Sequence, residues 1–209
     1  MPPADKNWSE YYRGMAPEDY SRPTLLKFLL GRRITDTVSR ATAEIIGKSV
    51  LELGCGTGKF TAMLAQKNRV TALDANSHLF RLKGIPFVAG SALELETLLP
   101  SEARFDIIAS FFMTDYLGPE EIAKVLRGCR RFLAPDGRLF FTFIADGLWG
   151  NIYVNGSRFL KRTAKYNYSL AEIEIISART GFEIESATFI TRFGARFAVL
   201  ISLKGNKNA

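Results

Sequence analysis

An α/β fold, with a doubly wound, mostly parallel seven-stranded sheet and helices on both faces, is the class this sequence predicts, and three observations predict it. Short apolar runs alternate along the 209 residues with helical patterns, the arrangement that buries a parallel sheet between helix layers. A glycine-rich turn within "SVLELGCGTGKFTAMLA", residues 49–65, joins the first such run to a helical pattern. The last two runs are separated only by "TRFGA", too short for a crossover, so they pair as an antiparallel C-terminal edge hairpin.

Each element follows from its own pattern. Strands are expected at 49–53, 69–73, 86–89, 105–110 and 138–144, then at 182–190 and 196–203. Helices are expected at 59–66, 91–98, 119–132 and 170–180. The punctuation agrees: Pro119 after Gly118 suits the first helical position, Ser169 with Glu172 reads as a capping box, and Gly181 stands where a left-handed C-cap belongs. Two stretches lie outside this rhythm. Residues 1–47 carry Trp8, Tyr11, Tyr12 and Tyr20 and then a helical pattern over 23–46, expected to form an N-terminal cap. Residues 146–168 interrupt the alternation with five aromatics among Gly and Asn, and an excursion of that length with that content reads as a functional lid. The whole is expected to be one domain, with a cofactor-binding half at 48–145 and a C-terminal helix and hairpin at 169–209.

Composition narrows the function. With 47% hydrophobic and 23% charged residues the chain has an ordinary globular balance. The polar start "MPPADKNWSEYYRG" has no apolar leader core, and apolar runs such as Leu139–Phe141 are far too short to span a membrane, so a cytoplasmic setting is expected. Cys55 and Cys129 lack a paired spacing, and His78 is the only imidazole, which argues against both a disulfide framework and a zinc site. The 28 Lys and Arg against 21 Asp and Glu give a formal +7, favouring an anionic partner or surface, although a solvated surface is the plainer reading and nucleic acid is not expected.

The glycine turn asks for a ligand. Gly54, Gly56 and Gly58 free the backbone to approach one closely, at the carboxyl end of the first strand where doubly wound sheets bind ligands. A phosphate-cradling loop fits only Gly58–Lys59, because Leu53 stands at its first glycine and Phe60 at its hydroxyl; a dinucleotide fingerprint meets Lys59 at its third glycine. The remaining pattern is G-x-G-x-G with an acid two residues ahead, Glu52.

Here the chain resembles the class I S-adenosylmethionine-dependent methyltransferases, whose first motif reads much like "VLELGCGTGKFT". Further landmarks follow in order: "VTALDAN" with Asp74, "GSALEL", "FDIIASFFMTDYL" and "LRGCRRFLAPDGRLFFTF", so the resemblance spans roughly residues 48–203. It implies S-adenosylmethionine as cofactor, S-adenosylhomocysteine as product and no metal. Its pocket would draw on Glu52, Gly54, Cys55, Gly56 and Gly58, with Glu52 near the methionine ammonium. Asp74, 20 residues after Gly54, would accept from the ribose hydroxyls, Ala75 and Leu79 would sandwich the adenine, and Ser91, Ala92 and Phe111 would complete the site. Ser91 stands where the family often has an Asp, so it would accept the adenine amino group less strongly. Taken alone, Glu52 also reads as a satisfied buried carboxylate, and Asp74 as a helix N-cap.

The resemblance places the methyl acceptor over the end of the fourth strand, at Phe112, Met113, Thr114, Asp115 and Tyr116. Asp115, Tyr116 and His78 are the candidate catalytic groups, Asp115 ahead of His78, with a loop acid or N-cap as the equal alternative for Asp115. Tyr11, Tyr12, Met113, Arg158, Arg162 and Arg192 are candidate substrate contacts. Thr114-Asp115-Tyr116-Leu117 is not the Asn/Asp-Pro-Pro-aromatic run of nucleic-acid amino-methylases, and neither a Pro-Cys nucleophile nor the carboxylates of the magnesium-dependent catechol type are found. Arg158, Lys161, Arg162 and Lys165 share a face at helical spacing, a solvated surface first and an anion-receiving lid second, with peripheral contact to an anionic membrane surface as one use. A small, anionic or amphiphilic acceptor methylated at O, N or C is the expectation; the alternatives are a nucleic-acid or protein methyltransferase, a non-catalytic cofactor binder, or a nicotinamide dehydrogenase.

Overall fold

The computed structural model describes Met15, residues 25–161 and residues 164–206. Tyr11, Tyr12 and Arg162 lie outside the described residues. One seven-stranded sheet runs in the order β3-β2-β1-β4-β5-β7-β6. Its strands are β1 (Ser49–Leu53), β2 (Arg69–Asp74), β3 (Phe87–Ala89), β4 (Phe105–Ser110), β5 (Leu133–Ile144), β6 (Phe182–Arg192) and β7 (Ala195–Gly205). The helices are α1 (Leu25–Ala41), α2 (Lys59–Ala65), α3 (Leu95–Leu98), α4 (Pro119–Phe132), α5 (Leu148–Lys161) and α6 (Leu170–Arg179). All neighbours pair in parallel except β7, which runs antiparallel to both β5 and β6. The reversed strand is thus interior, and β6 forms the edge.

Strand alternation sorts the core onto two faces. Leu51, Leu53, Ile108, Leu139, Phe141 and Phe143 pack with α4 and α6 through Phe132, Leu126 and Ile173. Val50, Val70, Ile107, Ala109 and Phe140 pack on the other face with Val38 of α1 and Leu64 of α2. Glu52, two residues after Val50, shares its face and so meets α2. The sequence punctuation is realised: the Gly118 N–H donates to Glu121 Oε2 at 2.8 Å, Ser169 and Glu172 cap α6 reciprocally, and Gly181 takes φ 78°.

Three elements differ from the sequence expectation. The 146–168 stretch is largely a helix, α5, which Gly150 and Gly156 had disguised because glycine lowers helix propensity. Gly150 is required there: a Cβ would sit 1.9 Å from the Ala145 carbonyl oxygen, so the helix backbone lies directly on the sheet end. Because α5 stops at Lys161, Lys165 is not on the helical face expected for it, and it turns inward. The 91–98 helix is a 3₁₀ turn at Ala92–Glu94 followed by the single turn α3. Finally, β5 begins at Leu133, with a register shift before regular pairing resumes at Arg138.

Candidate active site

The strand order reverses between β1 and β4, since the chain winds β1-β2-β3 to one side and then crosses to β4 on the other. Ligands bind at the carboxyl ends of the strands flanking such a reversal. There the structure has an open cleft of about 600 Å³, counting the space it shares with solvent. Its floor is the glycine loop, one side comes from the exits of β2 and β3, and the other from the exit of β4.

The loop is held by its own backbone. The Gly54 and Cys55 N–H groups both donate to the Leu73 carbonyl, at 2.8 and 3.1 Å, and the Gly58 N–H donates to the Cys55 carbonyl at 2.9 Å. Gly54, Gly56 and Gly58 have φ of 68°, 55° and 89°, a region costly to residues with a Cβ. Gly54 has a second reason: a Cβ would lie 2.7 Å from the Met113 side chain. Asp74, 8% exposed, organises this floor, its Oδ2 accepting from the Gly56 N–H at 2.8 Å and its Oδ1 from the Asn76 N–H at 2.7 Å. Each oxygen keeps a further acceptor position, and Asp74 lines the cleft.

Gly54, Gly56, Asp74, Ala75, Leu79, Ser91 and Ala92 come together along the cleft, with Met113 and Tyr116 on the β4 side. Ser91 Oγ accepts from the Leu93 N–H at 3.2 Å, capping the 3₁₀ turn. Sequence reasoning missed Asn76 and Leu93 as lining residues, and of the expected Phe111 and Phe112 the cleft is lined by Phe112 and not by Phe111. Phe112 lines the cleft at φ 63° while Phe111 turns into the core against Phe60, ring centroids 4.9 Å apart. A phenylalanine with positive φ is held against its own preference. The restraint is Thr142 on β5, whose Oγ1 accepts from the Phe112 N–H at 2.6 Å and whose carbonyl accepts from Thr114 Oγ1.

Glu52 behind the loop, and Cys55 and Gly58 within it, do not line the cleft. Glu52 is 1% exposed, and its Oε2 accepts from Thr61 Oγ1. Burial pushes its carboxyl up to about 8; the Thr61 bond opposes that and the nearby Asp74 charge reinforces it. Cys55 and Cys129 are buried, and desolvation raises both thiols well above their ordinary range, so neither is an activated nucleophile.

The acceptor side brings the main correction. Asp115, proposed from sequence as a base, is 2% exposed and does not line the cleft. Its Oδ2 is paired with the Lys165 ammonium and accepts from the Tyr153 hydroxyl at 3.1 Å. A carboxylate compensated this way is a structural anion, not a free base. Lys165 Nζ in turn lies 2.5 Å from the Tyr153 hydroxyl and 3.7 Å from the centroid of the Tyr116 ring, which lines the cleft. The Tyr166 N–H donates to the Asp115 carbonyl at 2.8 Å, and the Tyr168 hydroxyl bonds the Leu117 carbonyl, stapling this segment to the β4 exit. His78 is exposed in the Ser77–Leu79 turn, Nε2 at 3.2 Å from the Met15 carbonyl, and it too is absent from the cleft lining. Arg158 and Arg192 stand outside it as well. Among the described residues no group of three or more His, Cys, Asp or Glu is placed to hold a metal ion.

Residues 50–137, which hold β1 through the start of β5, match a family model described as "Methyltransferase domain". That stretch, less than half of the chain, is similar to this domain. The fold is shared across 93% of the chain, and 96% of the neighbour, with magnesium protoporphyrin IX methyltransferase from Synechocystis with bound SAH, at a TM-score of 0.72 and 16% identity. Among curated proteins the chain is similar to phosphoethanolamine N-methyltransferase 1 of Triticum aestivum, 28% identical over 59% of this chain and 28% of the relative. It is also similar to malonyl-[acyl-carrier protein] O-methyltransferase of Porphyromonas gingivalis, 31% identical over 62% of this chain and 51% of the relative. The chain thus spans about half or less of the curated relatives it matches.

Proposed function

We propose that the chain is an S-adenosylmethionine-dependent methyltransferase acting on a small, anionic or amphiphilic acceptor, as a single domain in a cytoplasmic setting. The observation that carries this reading is the pairing of Gly54 and Gly56, bare toward the cleft, with Asp74, a buried carboxylate that bridges the loop and keeps acceptor capacity. That donor set fits the cofactor. Backbone at Gly54 and Gly56 admits its methionine and ribose, Asp74 accepts from ribose hydroxyls, and Ala75 and Leu79 offer apolar faces to adenine. Ser91 and Ala92 lie beside that end, and Glu52, behind the loop, supplies latent negative charge.

The cofactor supplies an electrophilic methyl group on a sulfonium. What the chain contributes is placement and exclusion of water. Phe112, Met113 and Tyr116 wall the acceptor side with apolar surface, and Thr142 fixes the backbone that carries them. With Asp115 held by Lys165, this chain's part in the reaction is proximity, and a proton leaving the acceptor passes to solvent. The named relatives methylate oxygen and nitrogen of small or carrier-bound acceptors, which supports the acceptor class. The test is formation of S-adenosylhomocysteine from S-adenosylmethionine when small-molecule fractions of a cell extract are supplied. Fraction-dependent product, lost in Asp74→Asn, is expected. Cofactor binding with no product from any fraction would make the chain a binder and not an enzyme.

A further inference from the structure

The outward face of α5 is unlike the rest of the surface. Its inward face is Gly150, Val154 and Ser157, packed toward Ile144, Ile190 and Phe197. Its outward face presents Leu148, Ile152 and Phe159, spaced as one helical stripe and exposed to 64, 53 and 83%. Next to it stands the β6–β7 turn, tied to the start of α5 by the Trp149 indole N–H donating to the Arg192 carbonyl at 3.2 Å. That two-residue turn is Phe193–Gly194, with φ of 49° and 75°. Asn or Gly serves such a turn best. Phe193 is instead strained and 74% exposed, so its ring is left largely outside the fold.

Charge separates this face further. Residues 147–171 and 186–209 contain no Asp or Glu, although the chain as a whole has 21. The cations near the apolar stripe are Arg158 on α5 and Arg192, stacked 4.7 Å from the Phe193 ring. Arginines beside exposed Leu, Ile and Phe, one of them resting on an aromatic ring, are the composition of a surface that lies in a lipid interface, with apolar groups inserted and cations at headgroup level. Both elements also stand at the carboxyl end of the parallel strands, the end that holds the cleft: α5 follows β5, and the turn follows β6.

We infer that the outer stripe of α5 together with Phe193 docks the protein on an anionic lipid bilayer. This surface goes beyond the expected basic face, since Lys165 is buried and takes no part. It rests on exposure and charge alone; only its use, presenting a lipid-borne acceptor to the cleft, rests on the proposed reaction.

The test is sedimentation of the full chain with vesicles of phosphatidylcholine and with vesicles of equal parts phosphatidylcholine and phosphatidylglycerol, across a salt series. The comparison protein carries Ile152→Ser, Phe159→Ser and Phe193→Asn, exposed positions at which Asn also suits the turn. Wild type is expected to partition onto the phosphatidylglycerol vesicles at low salt and to leave them as salt rises. The triple variant is expected to bind about tenfold or more weaker, with unchanged melting and an unchanged response to S-adenosylhomocysteine. No binding to anionic vesicles, equal binding to neutral ones, or undiminished binding by the folded triple variant would each overturn the inference, whatever the chain does with acidic proteins. A chain that binds vesicles yet ignores S-adenosylhomocysteine would leave this surface standing and remove the methyltransferase reading instead.

Discussion

The two ends of the cleft are built from different materials. At the β1–β2 end the shape is set by backbone: three glycines at positive φ, amides pinned to Leu73, and one carboxylate, Asp74, bridging Gly56 and Asn76. At the β4 end it is set by buried side chains drawn from distant segments. Lys165 reaches Asp115 across 50 residues, Tyr153 joins them across 38, and Thr142 clamps Phe112 across 30. The first end fits an invariant ligand, because backbone offers one geometry. The second can be retuned by exchanging side chains without disturbing the floor, as befits the end that meets a variable acceptor.

That contrast can be broken at either end. Lys165→Met leaves Asp115 as an uncompensated buried charge and should destabilise the fold by about 3–5 kcal/mol, whereas Asp115→Asn added to it should restore much of the loss. Urea unfolding of the single and double variants measures this, and a single variant as stable as wild type would mean the pair does not hold the acceptor wall. At the other end, Gly54→Ala meets both the positive φ and the Met113 side chain and should cost about 1–3 kcal/mol, with cofactor binding lost as well; a variant that still binds would show that the loop tolerates a Cβ. Glu52 sharpens the comparison through pH. Its carboxyl is raised in the fold from an ordinary 4.5 to about 8, so the native state holds a proton that the unfolded chain releases. The stability from this group is present in full below about pH 4.5 and drains away as pH rises through about 8, at up to about 1.4 kcal/mol per pH unit. Thermal melts from pH 5 to pH 8 should show that slope in wild type and not in Glu52→Gln.

The backbone-built end was legible in the sequence for the same reason that it is rigid. Glycine spacing, the acid ahead of it and Asp74 at the end of β2 are local signals, and seven strands in alternation with helices set the sheet that carries them. The side-chain end was not legible, because its partners are far apart in the chain. Nothing in "SRFLKRTAKYNYS" says that Lys165 leaves the helix and turns inward, since helical spacing puts it in line with Arg158 and Lys161. Likewise α5 was hidden by its two glycines, one of them present because the helix sits against Ala145. Phe112 and Phe111 are neighbours with no sequence difference, and only the positive φ imposed through Thr142 decides which ring meets the cleft.

The central claim, that the backbone-built end receives S-adenosylmethionine, is tested most directly by melting wild type and Asp74→Asn with S-adenosylhomocysteine, S-adenosylmethionine or NAD, each alone. A ligand that binds only the folded state adds about 2.7 kcal/mol at a hundred times its dissociation constant. The account predicts stabilisation of wild type by the two sulfur compounds and its loss in Asp74→Asn. Stabilisation by NAD alone, or none by either sulfur compound, would contradict it.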